Sequence, residues 1–125
     1  MISGAHLLLY SKDAEADRAF FRDVLNFKSI DAGSGWLIFK LPPAEMGIHP
    51  GSGEFVQDHG GHDLLGSVLY LVCDNLEETV AALGAQGIVC SEPMVAEWGT
   101  STTVPLPSGG RIGLYQPRHP LAVDI

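Results

Sequence analysis

Four histidines are candidate metal ligands, because imidazole nitrogens bind zinc, nickel and iron well. His6 lies in an apolar run near the start of the chain, and His49 closes a later, shorter apolar stretch. The other two, His59 and His62, flank a pair of glycines in a polar segment. A catalytic zinc site generally has three protein ligands. His6 and His49 are therefore either half of a metal site or two polar residues that line a cavity without metal.

A second set of residues has the composition of a ligand pocket, which is mostly apolar with a few placed polar groups. The set consists of Trp36, Tyr70, Trp98, Arg111 and Tyr115. Each aromatic side chain fits either a pocket wall or an ordinary core. Arg111 shares a face of a predicted strand with Tyr115, so it either meets an anionic group in the pocket or belongs to the preceding turn.

The sequence assigns no catalytic residue. Glu45 serves either as a general base or as a loop residue beside Pro43. The two cysteines, Cys73 and Cys90, lie in apolar runs with no base nearby in the sequence. This placement predicts reduced core thiols rather than a nucleophile or a disulfide.

Two similar stretches of chain must position these residues. Residues 5–11 are a predicted strand that leads into an amphipathic helix, and residues 67–73 are a second predicted strand that does the same. The helical segments, residues 13–27 and 74–88, have equal length and overlay without a gap. A repeat of this kind indicates a duplicated half-domain.

Further predicted strands complete each half, so that each has the order strand, helix and three strands. They are residues 28–32, 36–41, 46–49, 88–91, 95–104 (interrupted near residues 98–99) and 111–116. Glycine-rich and polar residues between the halves predict a linker without strands. The chain is predicted to be one domain, with module one at residues 4–50, the linker at 51–65, module two at 66–117 and a tail at 118–125.

The start of the first helix is marked by acidic residues. Ser11 or Asp13 suits the N-cap, because a short polar side chain there accepts hydrogen bonds from the first turn. The carboxylates of Asp13, Glu15, Asp17 and Asp23 are predicted to form a solvated helix face.

The charge balance excludes some classes of partner. Seven Lys and Arg residues stand against 15 Asp and Glu residues, a formal net charge of -8. Binding to a phosphate backbone or an anionic membrane needs clustered basic residues, so neither partner is expected. No apolar run has the roughly 18 residues that span a bilayer. Without a signal-peptide pattern, the expected location is the cytoplasm.

Two motifs carry a resemblance to a known family. The segment 13–27 (DAEADRAFFRDVLNF) and the segment 106–117 (LPSGGRIGLYQP) resemble those of the vicinal oxygen chelate superfamily. That group includes glyoxalase I, bleomycin-resistance proteins and extradiol dioxygenases, and the resemblance covers residues 4–117. It implies an α+β fold in which two βαβββ modules form a cupped mixed sheet around a pocket, and it implies a homodimer.

The resemblance also implies where a metal would be held. Metal-dependent members place one ligand on each of four strands, and His6 and His49 match the first two positions. The third position falls on Ser67 or Val68, neither of which is a credible ligand. The fourth, usually a glutamate, is Gly113 here. Two of the four ligand positions of the family are therefore retained in this sequence.

Two functions follow from the resemblance. The first is a glyoxalase/bleomycin-resistance/dioxygenase-like protein that binds a small organic molecule in the sheet cup, with a divalent metal (zinc, nickel, iron or manganese) in a degenerate site. Such a protein would be a lyase or a dioxygenase, and His59 or His62 would supply the missing ligand. The alternative is a metal-free drug- or metabolite-binding protein that stacks its ligand on the aromatic residues. The substrate and the reaction stay open.

Overall fold

The computed structural model describes residues 1–53 and 55–125 and divides into two compact units. The first unit contains residues 1–41 and 105–110, and the second contains residues 42–104 and 111–125. Glu54, which falls in the predicted linker, lies outside the described residues.

The described residues contain eleven helices, strands and turns, with the following bounds. The first unit has helix α1 (Ala14–Asp23) and strands β1 (Ser29–Asp31) and β2 (Leu37–Phe39). The second has β3 (Val56–His59), β4 (His62–Leu65), β5 (Tyr70–Val72), helix α2 (Leu76–Ala85), β6 (Met94–Ala96), β7 (Gly99–Pro105), β8 (Arg111–Pro117) and a final 3₁₀ turn (Ala122–Asp124).

Aromatic contacts hold the first unit together. Phe20 and Phe21 are buried on one face of α1. The Phe21 ring lies 5.5 Å from that of Phe27 and 5.8 Å from that of Phe39 on β2, measured between ring centroids. Helix α1 therefore packs on the antiparallel β1–β2 hairpin, which is the arrangement that its apolar stripe requires.

Asp17 is buried, which corrects the prediction that it lies on a solvated helix face. Its carboxylate accepts hydrogen bonds from the Ser11 hydroxyl (2.6 Å), the Ser108 hydroxyl (2.7 Å) and the Ser108 backbone N–H (3.0 Å). These donors replace water around the charge, as a buried carboxylate needs. Asp17 thus ties α1 to the turn at residues 105–110, a partner 91 residues away that helical periodicity cannot predict.

The N-cap of α1 is Asp13, one of the two predicted candidates. Its carboxylate accepts from the backbone N–H of Ala16 at 3.1 Å. The other candidate, Ser11, accepts from the Asp13 N–H at 3.1 Å and donates to Asp17, so it supports the cap instead.

A four-stranded sheet forms the core of the second unit, with strand order β5-β8-β7-β6. Strand β5 pairs with β8 in parallel, and β6 pairs with β7 antiparallel. Val104, Ile112 and Leu114 on the two central strands are buried. The break near residues 98–99 was predicted correctly, as was the turn that precedes β8.

Helix α2 is attached to this sheet at its first turn. Leu76 and Leu83 are buried as an apolar stripe. The backbone N–H of Leu76, which has no partner within the helix, donates to the side-chain oxygen of Gln116 on β8 at 2.8 Å.

Three predicted strands are wrong. Residues 5–11, 46–49 and 88–91 contain no strand, and the side chains of the first two segments are almost all exposed. An apolar pattern predicts which residues favour a strand, but a strand also needs a neighbour to pair its backbone, and the pattern does not name one.

The predicted linker contains a β-hairpin that sequence analysis missed. Strands β3 and β4 pair antiparallel on either side of Gly60 and Gly61. These two glycines have φ angles of 62° and 82°. A Gly-Gly pair is a hairpin signal because both central residues of a type I′ turn have positive φ, and that signal was present in the sequence.

Cys73 and Cys90 are free thiols and half-buried. No helix in the described ranges is long and apolar enough to cross a membrane.

Replacing Asp17 with Asn tests the buried carboxylate. Asn keeps one acceptor oxygen, but its NH2 group can only donate. That group would face the donors of Ser11 and Ser108 instead of an acceptor. We expect the free energy of unfolding, measured by urea denaturation, to fall by about 2 to 4 kcal/mol. Asp23→Asn is the matched control on the same helix, because Asp23 is exposed and pairs with the neighbouring Arg22. Equal effects of the two substitutions would contradict the role of Asp17.

Candidate functional site

The close contact between Tyr70 and Gly113 organises the candidate site. The two residues lie directly opposite each other on the paired strands β5 and β8. A Cβ atom added to Gly113 would lie 2.2 Å from Cδ1 and 2.4 Å from Cε1 of the Tyr70 ring. The ring of Tyr70 therefore occupies the space that a side chain at position 113 would fill.

Two further aromatic rings extend this contact into a cluster. Tyr115 follows Gly113 on the same face of β8, and its ring lies 6.0 Å from that of Tyr70 at an interplanar angle of 78°. The Trp98 ring lies 5.5 Å from Tyr115 at 65°. Edge-to-face pairs of this kind are favourable because the positive ring edge meets the negative ring face. We call Tyr70, Trp98 and Tyr115 the aromatic cluster.

The backbone around Trp98 fixes one edge of the aromatic cluster. Trp98 lies in the turn between β6 and β7, and its carbonyl accepts from the backbone N–H of Arg118 at 2.8 Å. The next residue, Gly99, has a φ of 153°, and a Cβ there would lie 2.4 Å from the carbonyl oxygen of Gln116. A side chain at position 99 would therefore push the turn that carries Trp98 away from β8.

His119 provides a polar edge to the aromatic cluster. Its Nε2 is hydrogen-bonded to the Tyr115 hydroxyl, and its Nδ1 lies 2.8 Å from the carbonyl oxygen of Pro120. A carbonyl only accepts, so Nδ1–H donates to it, and Nε2 of the neutral ring accepts from Tyr115. The Tyr115 oxygen keeps its lone pairs as acceptors for another donor.

The surroundings of Tyr115 keep its hydroxyl protonated. Burial raises the pKa of Tyr115, and the nearby carboxylate of Glu45 raises it further because it repels a phenolate. The Glu45 carboxylate is itself held by the backbone N–H of Ala122 at 2.6 Å. Glu45 thus acts on the aromatic cluster through its charge, and its role as a general base stays a prediction.

The aromatic cluster is open to solvent on one side. Tyr70 is 46% exposed and Trp98 is 47% exposed, while Tyr115 beneath them is half-buried. Such contiguous apolar surface with a polar edge is typical of a binding site.

The other two predicted pocket residues have different neighbours. Trp36 belongs to the first unit, where the Arg18 guanidinium lies 4.4 Å from the centroid of its ring. Arg111 reaches the neighbouring strand, where Nε donates to the Thr103 hydroxyl at 2.6 Å. Their roles in a pocket stay predictions.

Two cavities lie in the first unit, and none of the five predicted pocket residues lines either of them. One, of about 350 Å³, lies along the β1–β2 hairpin at residues 28–30 and 38–40. The other, of about 400 Å³, lies between α1 and the hairpin and has both Arg18 and Arg22 in its wall.

The residues present fit a four-ligand metal site poorly. Among residues 1–53 and 55–125, no three His, Cys, Asp or Glu side chains are grouped so that they could hold a metal ion. His6 and His49 are both exposed, and Nδ1 of His49 contacts the carbonyl oxygen of Pro50 at 2.8 Å. At the fourth predicted position, Gly113, the ring of Tyr70 fills the space of a ligand side chain. The assignment of His6 and His49 as ligands stays a prediction.

His119 is the site residue that sequence analysis missed. It lies in a tail without periodicity, and its contact with Tyr115 depends on a bend of the chain at residues 118 and 119. The proline on either side of the Arg118–His119 pair was the available signal, since proline restricts the backbone to extended and turn conformations.

Comparison with known proteins establishes the fold class. No protein-family model and no curated protein matches the chain. Solved structures match over most of its length, and they carry the glyoxalase/bleomycin-resistance fold of the vicinal oxygen chelate superfamily. The chain therefore has this α+β fold, as predicted.

Three of these structures illustrate the range of activities on this fold. An antibiotic-binding protein from a Streptomyces species has a TM-score of 0.60 at 20% identity, over 94% of this chain and 99% of the other. Lactoylglutathione lyase from Agrobacterium tumefaciens has 0.61 at 17%, over 91% and 92%. A glyoxalase/bleomycin resistance protein/dioxygenase superfamily member from Sphaerobacter thermophilus has 0.57 at 17%, over 92% and 98%.

A double-mutant cycle tests the contact at the centre of the site. Gly113→Ala should destabilise the protein by about 1 to 3 kcal/mol, because its methyl group displaces the Tyr70 ring. In a Tyr70→Ala background the same substitution should cost much less, since the ring is gone. Gly84→Ala on α2 is the control: its Cβ meets nothing within 4 Å, so it should not destabilise. Additive effects in urea unfolding would contradict the contact.

Proposed function

We propose that this protein binds a small organic molecule on the aromatic cluster and needs no metal to do so. The observation that carries this proposal is the Tyr70 ring against Gly113, which puts an aromatic surface where the related fold would present a metal ligand. The similar structure of an antibiotic-binding protein supports a function of the drug- or metabolite-binding kind.

The chemistry of the aromatic cluster describes its ligand. An aromatic ligand gains from stacking on the exposed rings of Tyr70 and Trp98. The Tyr115 oxygen suits an N–H or O–H group of the ligand, because the Tyr115 proton is already directed to His119. The Glu45 carboxylate and the net charge of -8 favour a neutral or cationic ligand over an anion.

The second candidate is a metal-dependent lyase or dioxygenase with a divalent metal at His6 and His49. It is supported by the similar structure of a lactoylglutathione lyase and by the two imidazoles, both of which are exposed. Those imidazoles would hold the metal, and a bound metal would polarise oxygen atoms of the substrate. This candidate needs a third ligand, which neither Ser67/Val68 nor Gly113 supplies.

We also propose that the protein acts as a cytoplasmic homodimer. Large apolar side chains are exposed in several segments, among them Leu8 at 45%, Leu65 at 85% and Val68 at 79%. A surface of this kind is costly for a monomer in water and suits an interface between two copies.

A screen of aromatic fragments that carry hydroxyl or amino groups tests the binding proposal. Binding is measured by thermal shift and then by calorimetry, in buffer with EDTA. We expect Trp98→Ala to weaken the fragments by about tenfold, equivalent to about 1.4 kcal/mol of lost stacking. Trp36→Ala is the matched control and should leave the affinity unchanged. Fragments that bind only after metal is added would favour the second candidate. Fragments whose affinity depends on Trp36 would indicate a different binding site.

Sedimentation velocity tests the dimer. We expect a species of twice the chain mass of 13.3 kDa at micromolar concentration. Replacing both Leu65 and Val68 with Lys should shift the protein toward monomer if these side chains are in the interface. A wild-type protein that sediments as a monomer at all concentrations would contradict this proposal.

A further inference from the structure

We propose that the polar cavity between helix α1 and the β1–β2 hairpin binds a small zwitterion. Such a molecule carries both a carboxylate and an ammonium group, as a free amino acid does. The cavity has a volume of about 400 Å³ and lies within the first unit. The inference goes beyond the proposed function, because the residues that line this cavity come from α1 and the hairpin rather than from the aromatic cluster.

One wall of the cavity is a stripe of α1. Glu15, Arg18 and Arg22 line it, and they are three and four residues apart, so their side chains lie on one face of the helix. A rise of about 1.5 Å per residue puts Arg22 about 10 Å further along the helix axis than Glu15. This wall is therefore acidic toward the start of the helix and basic toward its end.

The facing wall belongs to the β1–β2 hairpin. Asp31 and Leu37 line it and are directly opposite each other in the antiparallel register, so their side chains share a face of the hairpin. Oδ1 of Asp31 accepts from the backbone N–H of Gly33 at 2.7 Å, which ties the carboxylate to the turn. A carboxylate has two oxygens that accept hydrogen bonds, so this contact leaves capacity for a ligand.

The two guanidinium groups are held in different ways. Arg18 is half-buried, and its guanidinium lies 4.4 Å from the centroid of the Trp36 ring. A guanidinium packed on a ring keeps the N–H groups at its edge for a carboxylate. Arg22 donates from Nε and Nη2 to the carboxylate of Asp23 at 2.7 and 2.8 Å, a pairing that does not use Nη1.

The balance of charges in the cavity indicates the class of ligand. Two guanidinium groups and two carboxylates line it. A simple anion would be attracted by Arg18 and Arg22 but repelled by Glu15 and Asp31, and a simple cation would meet the reverse. A zwitterion has an oppositely charged partner for each of its groups, so the cavity discriminates against both simple ions.

The size and the apolar part of the wall describe the rest of the ligand. Ligand pockets have volumes of roughly 300 to 1,000 Å³, and this cavity lies near the lower end, which suits a small molecule. Ala19 on α1 and Leu37 on β2 add apolar surface to the lining. That surface suits a short aliphatic side chain, so L-leucine is the probe that fits the cavity.

The test uses the full chain and three probes that differ by one charged group. They are L-leucine, 4-methylpentanoate (which lacks the ammonium group) and 3-methylbutylamine (which lacks the carboxylate). Fluorine NMR of fluorotryptophan-labelled protein reports binding, because Trp36 contacts Arg18 whereas Trp98 lies in the aromatic cluster. We expect L-leucine to shift the Trp36 resonance saturably and to bind about tenfold more tightly than either analogue, since each analogue loses charge-assisted hydrogen bonds.

Two substitutions separate recognition of the ligand from a structural effect. Glu15→Gln should weaken L-leucine binding but leave 4-methylpentanoate bound equally or more tightly, because a repulsion of its carboxylate is removed. Arg18→Gln should weaken both probes. Lys12→Gln is the matched control, because Lys12 is exposed and precedes α1, and it should change neither affinity. Backbone NMR of residues 29–39 establishes that the hairpin is formed, and Arg22→Gln replaces Arg18→Gln if the hairpin is lost.

Four results would overturn the proposal. The first is the absence of a saturable shift of the Trp36 resonance with L-leucine, and the second is a shift of the Trp98 resonance alone. The third is equal affinity for L-leucine and 4-methylpentanoate. The fourth is L-leucine binding that is unchanged by Glu15→Gln and by the arginine substitution. None of these results depends on whether fragments bind to the aromatic cluster.

Discussion

The contact between the ring of Tyr70 and the backbone of Gly113 is the constraint on which the site depends. Parallel pairing of β5 with β8 puts the two residues opposite each other, and only glycine leaves room for the ring. The ring then supports Tyr115, which in turn contacts Trp98 and His119. One missing side chain thus has two consequences: it removes a candidate metal ligand, and it allows an aromatic surface to form in the same place.

Local sequence signals predicted the features that depend on residues near each other in the chain. Asp13, one of the two predicted candidates, caps α1, and α1 is amphipathic as predicted, with Phe20 and Phe21 buried. The fold class followed from two motifs at opposite ends of the chain. Some predicted strands, such as residues 5–11, are absent from the structure. Their apolar pattern fits a strand, but a strand also needs a pairing partner, which lies far away in the sequence. The prediction that Asp17 is solvated was wrong for a related reason, because its hydrogen-bond donor Ser108 is remote in sequence.

Three of the five residues that were predicted to line a pocket are neighbours in the structure. Tyr70, Trp98 and Tyr115 were chosen for their chemistry, and the structure brings these three together, whereas Trp36 contacts Arg18 in the first unit and Arg111 contacts Thr103. Composition identifies residues that suit a pocket, but their grouping depends on strand order. The sequence shows that Gly113 replaces a metal ligand of the related family. It does not show that the Tyr70 ring packs against Gly113, because that contact depends on the register of β5 on β8.

Fluorine NMR of the protein labelled with fluorotryptophan tests the central claim most directly, because the chain has only two tryptophans. Trp98 lies in the aromatic cluster, and Trp36 in the first unit provides the internal reference. Titration with a fragment that binds in the presence of EDTA should shift the Trp98 resonance and leave that of Trp36 in place. A bound fragment that shifts only Trp36, or neither resonance, would contradict a ligand site on the aromatic cluster.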